Sequence, residues 1–338
     1  MPPPPNSAVV LLDRFGQVVR VNKAAVDTFN INPAMVGQHN LQVIGNSLFD
    51  KAVQDAVQKR QNRLIDLKSD LRGDRRAFQV YLAPIIGNEP EVNSVLAVFH
   101  DITALREMQE KQADFIANAS HELATPLTSI KGFAETLLDG AAKDPELSLR
   151  FLQIIHTEAD RMQRLIKDLL QLARLDSQDC RKGIPAEPVA VEPVVEATIS
   201  DLAPGWQKKE LAVILEKPPT PFAVLANADW LKQVMVNLLD NSVKYTPPGG
   251  RIWVKWWREN DEAVISVRDS GTGIPPQDLP HIFDRFYRVD RARTRAAGGT
   301  GLGLAIVKFI VELFGGRVEA KSSVGVGTTI IFRLPLAK

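Results

Sequence analysis

The sequence predicts an α+β multidomain chain, on three observations. Short β-branched runs alternate with helical stretches over the first hundred residues. Two long apolar stripes at three-and-four spacing fill the middle. Strands and helices alternate again from about residue 187 to the end. With 338 residues the chain is too long for one typical core. The expected division is a mixed α/β domain over 1–101, a connector and helical hairpin over 102–179, and a two-layer α/β sandwich over 187–338.

In the first segment, SAVVLLD and GQVVRVN flank Arg14, Phe15 and Gly16, which is a hairpin signal. Helical stretches follow around 23–30 and 47–61. RLIDLKS, RAFQVYLAPII and SVLAVFHDIT then read as three more strands. Strands at both ends with helices between them predict a five-stranded antiparallel sheet. In the second segment, Ile116, Ala119, Leu123, Leu127, Ile130, Ala134 and Leu137 form one apolar stripe. Gly140 to Pro145 break it, and Leu152, Ile155, Ala159, Met162, Ile166, Leu169 and Ala173 form another. Two long helices joined by a short turn make an antiparallel hairpin. Each stripe is too exposed for a lone hairpin, so two hairpins are expected to pair as the four-helix bundle of a homodimer. Ile102, Leu105 and Met108 extend the first helix backwards as a coiled-coil connector. RKGIPAEPVAVEP reads as a Pro-rich linker. Beyond it, LAVILEK, FAVLAN, RIWVKWW and AVISVRD are strand-like, and RVEAKS with TTIIFRLPL closes the sheet. The intervening helices are expected over Asp229–Val243, capped near Asn227 to Asp229, and over Leu302–Phe314.

Composition narrows the function classes. Lys and Arg number 41 and Asp and Glu 40, a net charge of +1 that gives no support to nucleic-acid binding. The one cysteine, Cys180, excludes an intrachain disulfide and fits a reducing compartment. No stretch approaches the roughly 20 apolar residues that span a bilayer. Pro2 to Pro5 rule out a helical targeting segment after Met1. The Met-Pro start reads as a boundary. The expected location is the cytoplasm, with a membrane reached only through a segment absent from this chain.

Four strings carry chemistry. In FIANASHELATPLTSIKG, His121 lies two positions before Leu123 and so points off the apolar seam. A neutral imidazole is a nucleophile near neutral pH, and the neighbouring Glu122 can hold its tautomer and stabilise the positive charge that develops. Pro126 removes a helical hydrogen bond just past this turn. A lone solvent-facing histidine is ordinarily only a surface residue; the surrounding string reverses that reading. In NLLDNSVKYTPPGG, Asn237 and Asn241 face the same way on one helix, and amide oxygens are hard ligands suited to Mg²⁺. Lys244 and Tyr245 follow at the helix end, within reach of nucleotide phosphates or ribose. A polar pair on a helix is equally well a structural feature. In VISVRDSGTGIPP, a strand ends in Asp269, whose carboxylate can accept a hydrogen bond from an exocyclic amine. Gly271 and Gly273 let backbone approach a planar base. In IFDRFYRVDRARTRAAGGTGLGLAIVK, the aromatics Phe283, Phe286 and Tyr287 precede Arg288, Arg291, Arg293 and Arg295. Gly298, Gly299, Gly301 and Gly303 then open a helix, an arrangement that binds phosphates through free N–H groups and the helix dipole. The spacing Gly299-x-Gly301-x-Gly303 after a charged loop is not a dinucleotide fingerprint. Val289 to Gly298 reads as a mobile lid over a triphosphate.

Together these strings resemble the sensor histidine kinases of two-component systems. His-Glu-x-x-Thr-Pro-Leu is similar to their phospho-acceptor box, with Ala124 where a longer polar side chain is frequent. The other three resemble the asparagine box, adenine box and glycine-rich box of their ATP-binding domain, and the first segment resembles a PAS sensor domain. GFAETLLDGA and DLLQLARLD also resemble phosphate-regulon-type sensor kinases. The resemblance implies autophosphorylation of His121 from ATP with Mg²⁺, and transfer to an aspartate of a response-regulator receiver domain. It makes Asn241 the principal metal ligand with Asn237 beside it. It also links Glu122-x-x-Thr125 to dephosphorylation of the partner. Two alternatives stand against it. One is a gyrase-type ATP hydrolase, which carries a water-activating glutamate where this chain has Asn237. The other is a signalling scaffold acting mainly as a phosphatase.

Overall fold

The computed structural model describes residues 7–71, 74–86, 92–176, 185–289 and 299–337. They form two compact units, 1–116 and 117–338.

The first unit is built on five antiparallel strands: β1 (Ala8–Asp13), β2 (Val18–Val21), β3 (Arg63–Leu71), β4 (Asp74–Ile86) and β5 (Val92–Asp101), in the order β2-β1-β5-β4-β3. The expected hairpin joins β1 to β2. Gly16 turns it at a φ of +81°, and the Asp13 carboxylate accepts from the amides of Phe15 and Gln17. Helices α1 (Lys23–Phe29), α2 (Asn40–Ile44) and α3 (Ser47–Lys59) lie between β2 and β3. Asn22 caps α1 by accepting from the Ala25 amide, and Asn46 caps α3 by accepting from Leu48 and Phe49. Alternate strand residues Val10, Leu12, Val80, Leu82, Val95 and Ala97 are buried. Phe99 sits between Phe29 and Phe49 at ring-centroid distances of 4.8 and 5.1 Å. Helix α4 (Thr103–Leu138) starts in this unit, where Arg106 and Glu110 pair with Asp66 and Lys68 of β3.

The second unit continues α4 and adds α5 (Pro145–Asp176), the expected antiparallel hairpin. Phe133 and Phe151 meet near its turn, rings 5.1 Å apart. Pro126 does not end α4, which runs helically through it. Beyond the hairpin come β6 (Glu187–Ala190), α6 (Val191–Asp201), α7 (Ala203–Lys208), β7 (Ala212–Glu216), β8 (Ala223–Ala226) and α8 (Ala228–Tyr245). β9 (Arg251–Glu259), β10 (Glu262–Asp269), α9 (Gly303–Leu313), β11 (Arg317–Ser323) and β12 (Gly327–Pro335) complete the unit. The main sheet has the order β11-β12-β10-β9-β7, antiparallel except for the parallel pair β7–β9, and so is mixed. Ile252, Val254 and Trp256 of β9 are buried beneath the helices with Leu231, Met235, Leu238 and Ile306. The outer face of the sheet carries Trp253 under Arg268 and Trp257 under Lys255. Among the described residues no helix is long and apolar enough to cross a membrane.

Two expectations change. The Pro-rich string is not all linker. Residues 181–184 and Cys180 lie outside the described residues, but Glu187–Ala190 pairs with β8, and Pro193 sits in the first turn of α6. A proline there costs no helical hydrogen bond, because the first four N–H groups of a helix have no internal acceptor. Helix α8 runs to Tyr245 rather than stopping at Val243, so Lys244 and Tyr245 belong to its last turn.

Candidate nucleotide and phospho-acceptor site

His121 is exposed on α4, as its offset from the apolar stripe predicts. Thr125, one turn on, donates its hydroxyl to the carbonyl of His121 at 3.1 Å. The Glu122 carboxylate is engaged elsewhere. Its Oε2 accepts from Arg161 Nη2 on α5 at 2.9 Å and from Arg288 Nη2 at 3.0 Å. Side-chain exposure is 5% for Arg161 and 3% for Arg288. Arg161 also faces Glu158 at 3.6 Å. Both contacts use Oε2, and Oε1 retains its own capacity to accept.

Helix α8 begins where Asn227 caps the amides of Asp229 and Trp230. Asn237 and Asn241 lie one turn apart on it. Asn237 donates from Nδ2 to the carbonyl of Gly303 at 3.2 Å and accepts from Gln233, which ties α8 to the first residue of α9. Asn241 and Tyr245 are half-buried, and Lys244 pairs with Asp240. The end of α8 is fixed by a residue that sequence reasoning missed. Lys209 donates from Nζ to the carbonyls of Val243, Lys244 and Thr246 at 2.7, 3.0 and 3.2 Å. The last carbonyls of a helix lack internal donors and carry the negative end of its dipole, so one ammonium answers both needs.

Asp269, at the end of β10, is 8% exposed. Its Oδ1 accepts from the amides of Gly271 at 2.8 Å and Thr328 at 3.3 Å. Burial raises its carboxyl above the usual range, and those two backbone hydrogen bonds act against the rise. With Oδ1 so used, Oδ2 retains capacity to accept from an amine. Gly271 and Gly273 were expected to make room for a base. At both positions the space that a Cβ would take is occupied by the protein's own atoms. A Cβ at Gly271 would lie 2.5 Å from Asp269 Oδ1 and 2.7 Å from the Tyr245 carbonyl oxygen. One at Gly273, whose φ is +70°, would lie 2.1 Å from the Ser323 carbonyl oxygen. Gly327, unremarked in the sequence, clears the carbonyl of Asp269 in the same way.

Phe286 holds a left-handed φ of +63° and donates its amide to the carbonyl of Gly301 at 2.9 Å. A Cβ on Gly301 would stand 3.0 Å from the Phe286 backbone, so that glycine serves this close approach. Gly303 is different, with only Asn237 side-chain atoms near, at 3.8–3.9 Å. Gly299 lies beside Thr300, whose hydroxyl donates to Asp168 of α5 at 2.8 Å. The expected lid, with Arg291, Arg293, Arg295 and Gly298, falls largely outside the described residues, as residues 290–298 are not among them. The structure thus ties Asn237 to Gly303 and Phe286 to Gly301 by hydrogen bonds, with Arg288 beside Gly301. Asp269, Gly271 and Tyr245 form a second cluster, around the ends of β10 and α8.

Among the described residues no group of three or more His, Cys, Asp or Glu could hold a metal. Amide, water and phosphate oxygens are the donors that Mg²⁺ prefers. Asn241, half-buried one turn beyond the anchored Asn237, fits that donor set.

Residues 111–178 match the family described as His Kinase A (phospho-acceptor) domain, and residues 226–338 match Histidine kinase-, DNA gyrase B-, and HSP90-like ATPase. The Sensor histidine kinase WalK of Bacillus subtilis (strain 168) is 33% identical over 329 residues, 97% of this chain and 53% of that protein. A Sensor protein kinase WalK of Staphylococcus aureus is 34% identical over 98% of this chain and 78% of its own length. The chain spans about half the length of most of these curated relatives. Histidine kinase ThkA, solved in complex with the response regulator protein TrrA, shares the fold over 98% of this chain, with a TM-score of 0.57 at 20% identity. An exposed histidine on a helical hairpin, joined to an α/β ATPase sandwich and matched along almost the whole chain by sensor kinases, places this protein in the sensor histidine kinase family.

Proposed function

We propose that the chain autophosphorylates His121 from ATP, passes the phosphoryl group to an aspartate of a response-regulator receiver domain, and also catalyses dephosphorylation of that partner. A neutral imidazole nitrogen of His121 attacks the γ-phosphorus. The N–P bond forms as the bond to the β-phosphate oxygen breaks, ADP leaves, and the imidazole proton passes to solvent. Asn241, with Asn237 beside it, is the proposed Mg²⁺ ligand; the ion neutralises phosphate charge when bound. Asp269 reads the adenine amine through Oδ2. Arg288 and the Gly299–Gly303 loop face the phosphates, with Lys244 and Tyr245 completing the site. Catalysis is then chiefly positioning and charge neutralisation.

The working parts are proposed as residues 1–101, a PAS-like sensor; 102–179, connector and hairpin; and 187–338, the ATP-binding part. The hairpin is proposed to pair with a second copy. In one chain Leu127 is 55% exposed, Leu152 52% and Ile166 42%. Leu127, Ile130, Ala159, Met162 and Ile166 line an apolar groove along its surface, and such a face is covered in a stable assembly. The cytoplasm is the proposed location.

The observation that carries the reading is the exposed His121 on a hairpin continuous with the nucleotide fold. A gyrase-type hydrolase would need a water-activating glutamate, and Asn237 stands in that place with its amide bound to Gly303. The test is incubation with γ-labelled ATP. Acid-labile, alkali-stable label on the protein is expected, lost in His121→Gln with nucleotide affinity kept. Label persisting on His121→Gln would sink the assignment.

A further inference from the structure

The turn that ends α8 is gathered around one ammonium. Lys209 follows α7 and precedes β7, and it is half-buried where its neighbour Lys208 is exposed. An ammonium has three protons, and Nζ of Lys209 gives all of them to the carbonyls of Val243, Lys244 and Thr246. The carbonyl it passes over is that of Tyr245. This oxygen faces the loop after β10. It accepts from the Thr272 amide at 3.3 Å and lies 2.7 Å from where a Cβ on Gly271 would stand. The Gly271 amide in turn donates to Asp269 Oδ1 at 2.8 Å, which leaves Oδ2 to accept from a ligand.

The main chain of Lys209 closes the same region from the other side. Its carbonyl accepts from the Gly249 amide at 3.0 Å, and the Gly250 carbonyl accepts from the Ala212 amide at 3.0 Å. The loop after α8 lies directly on the Asp269 loop, since a Cβ on Gly250 would stand 2.3 Å from Thr246 Cγ2 and 3.0 Å from Ser270 Oγ. One residue therefore holds the end of α8 with its side chain and the loop beyond it with its backbone. A compact point charge suits this task, because carbonyls can converge on it from three directions. Without it, the last carbonyls of α8 have no internal donor and turn to whatever donors they can reach, the amides of the Asp269 loop among them.

We propose that Lys209 is a positioning residue for base recognition. By taking the carbonyls on either side of Tyr245, it directs the Tyr245 carbonyl to the loop after β10 and so sets the Asp269 carboxylate for the exocyclic amine of adenine. Lys209 lies outside the four strings that carry the chemistry, and it acts through Tyr245, Thr272 and Gly271. The proposal rests on the reading of adenine by Asp269, and its test keeps the two apart.

The test is calorimetry on the full chain with ADP and with inosine diphosphate, which carries a carbonyl oxygen where adenine has its amine. The parent should bind ADP the more tightly. Lys209→Met keeps the length of the side chain and removes its charge and donors. In this variant the preference for ADP over inosine diphosphate should shrink by about fivefold or more, as a charge-assisted hydrogen bond loses its alignment. A merely structural loss would weaken both nucleotides alike and leave their ratio in place. A parent that binds the two equally overturns the Asp269 reading, and this proposal with it. A parent that discriminates, beside a Lys209→Met that discriminates as well, overturns this proposal alone. If Lys209→Met does not fold, as read by tryptophan fluorescence, Lys209→Arg decides. Its planar fork keeps the charge at the helix end but cannot centre on three carbonyls, so the ratio should still fall about threefold, and an unchanged ratio overturns the proposal.

Discussion

Gly273→Ala tests whether the loop after β10 is shaped by close approach of the protein's own backbone. The φ of +70° costs an alanine about 1–2 kcal/mol. The new Cβ would also lie 2.1 Å from the Ser323 carbonyl oxygen and 2.8 Å from Val324 Cα, and neither is a side-chain tip that swings aside. Opening that gap to normal contact needs a shift near an ångström, an overpacking cost of about 1–3 kcal/mol. The same shift strains the hydrogen bond from the Gly325 amide to the Thr272 carbonyl, 2.8 Å, worth about 1 kcal/mol. The sum is about 3–6 kcal/mol, a large part of the roughly 5–15 kcal/mol that holds a domain folded. All five tryptophans, at 206, 230, 253, 256 and 257, lie in the ATP-binding part. Urea unfolding followed by their fluorescence therefore reports this part of the chain. With a slope of about 2 kcal/mol per M, the midpoint should drop by about 1.5–3 M. Gly303→Ala is the control, since its Cβ meets nothing nearer than 3.8 Å; it should stay within about 1 kcal/mol of the parent. A Gly273→Ala midpoint no lower than the control's refutes the argument.

Three further outcomes follow from the site. Asn241→Ala should abolish Mg²⁺-dependent labelling while the dimer, measured by light scattering, persists; normal labelling would remove Asn241 from the metal. Asp269 has a folded-state pKa raised by burial, so its contribution to stability is full below the ordinary carboxylate pKa and is lost as pH rises through the raised value. Nucleotide affinity is expected to run the opposite way, falling as the pH drops through that raised value, because the proposed acceptor of the adenine amine is the ionised carboxylate. Calorimetry of the parent and Asp269→Asn should show a pH dependence in the parent alone. Thr125→Ala removes an exposed hydroxyl bonded to the His121 carbonyl, and should keep self-labelling and phosphotransfer yet slow decay of purified phospho-partner; an equal loss of all activities makes Thr125 structural.

The elements were legible because hydrophobic period is local. The β1–β2 hairpin, the two helices of the hairpin and the separate strands of the C-terminal sheet all follow from spacing within a few residues. The relations between distant residues were not. Arg161 and Asp168 read as ordinary polar positions of an amphipathic helix, since nothing near them in sequence shows that Glu122, Arg288 and Thr300 meet them. Lys209 lies 34–37 residues from the carbonyls it caps. The glycines were recognised as residues needing room, but the occupant of that room is set by tertiary approach: Ser323 at Gly273 and Phe286 at Gly301. Helix α6 was missed for a local reason, because Pro188 and Pro193 resemble a linker until one is paired in a two-stranded ribbon and the other falls in a first helical turn.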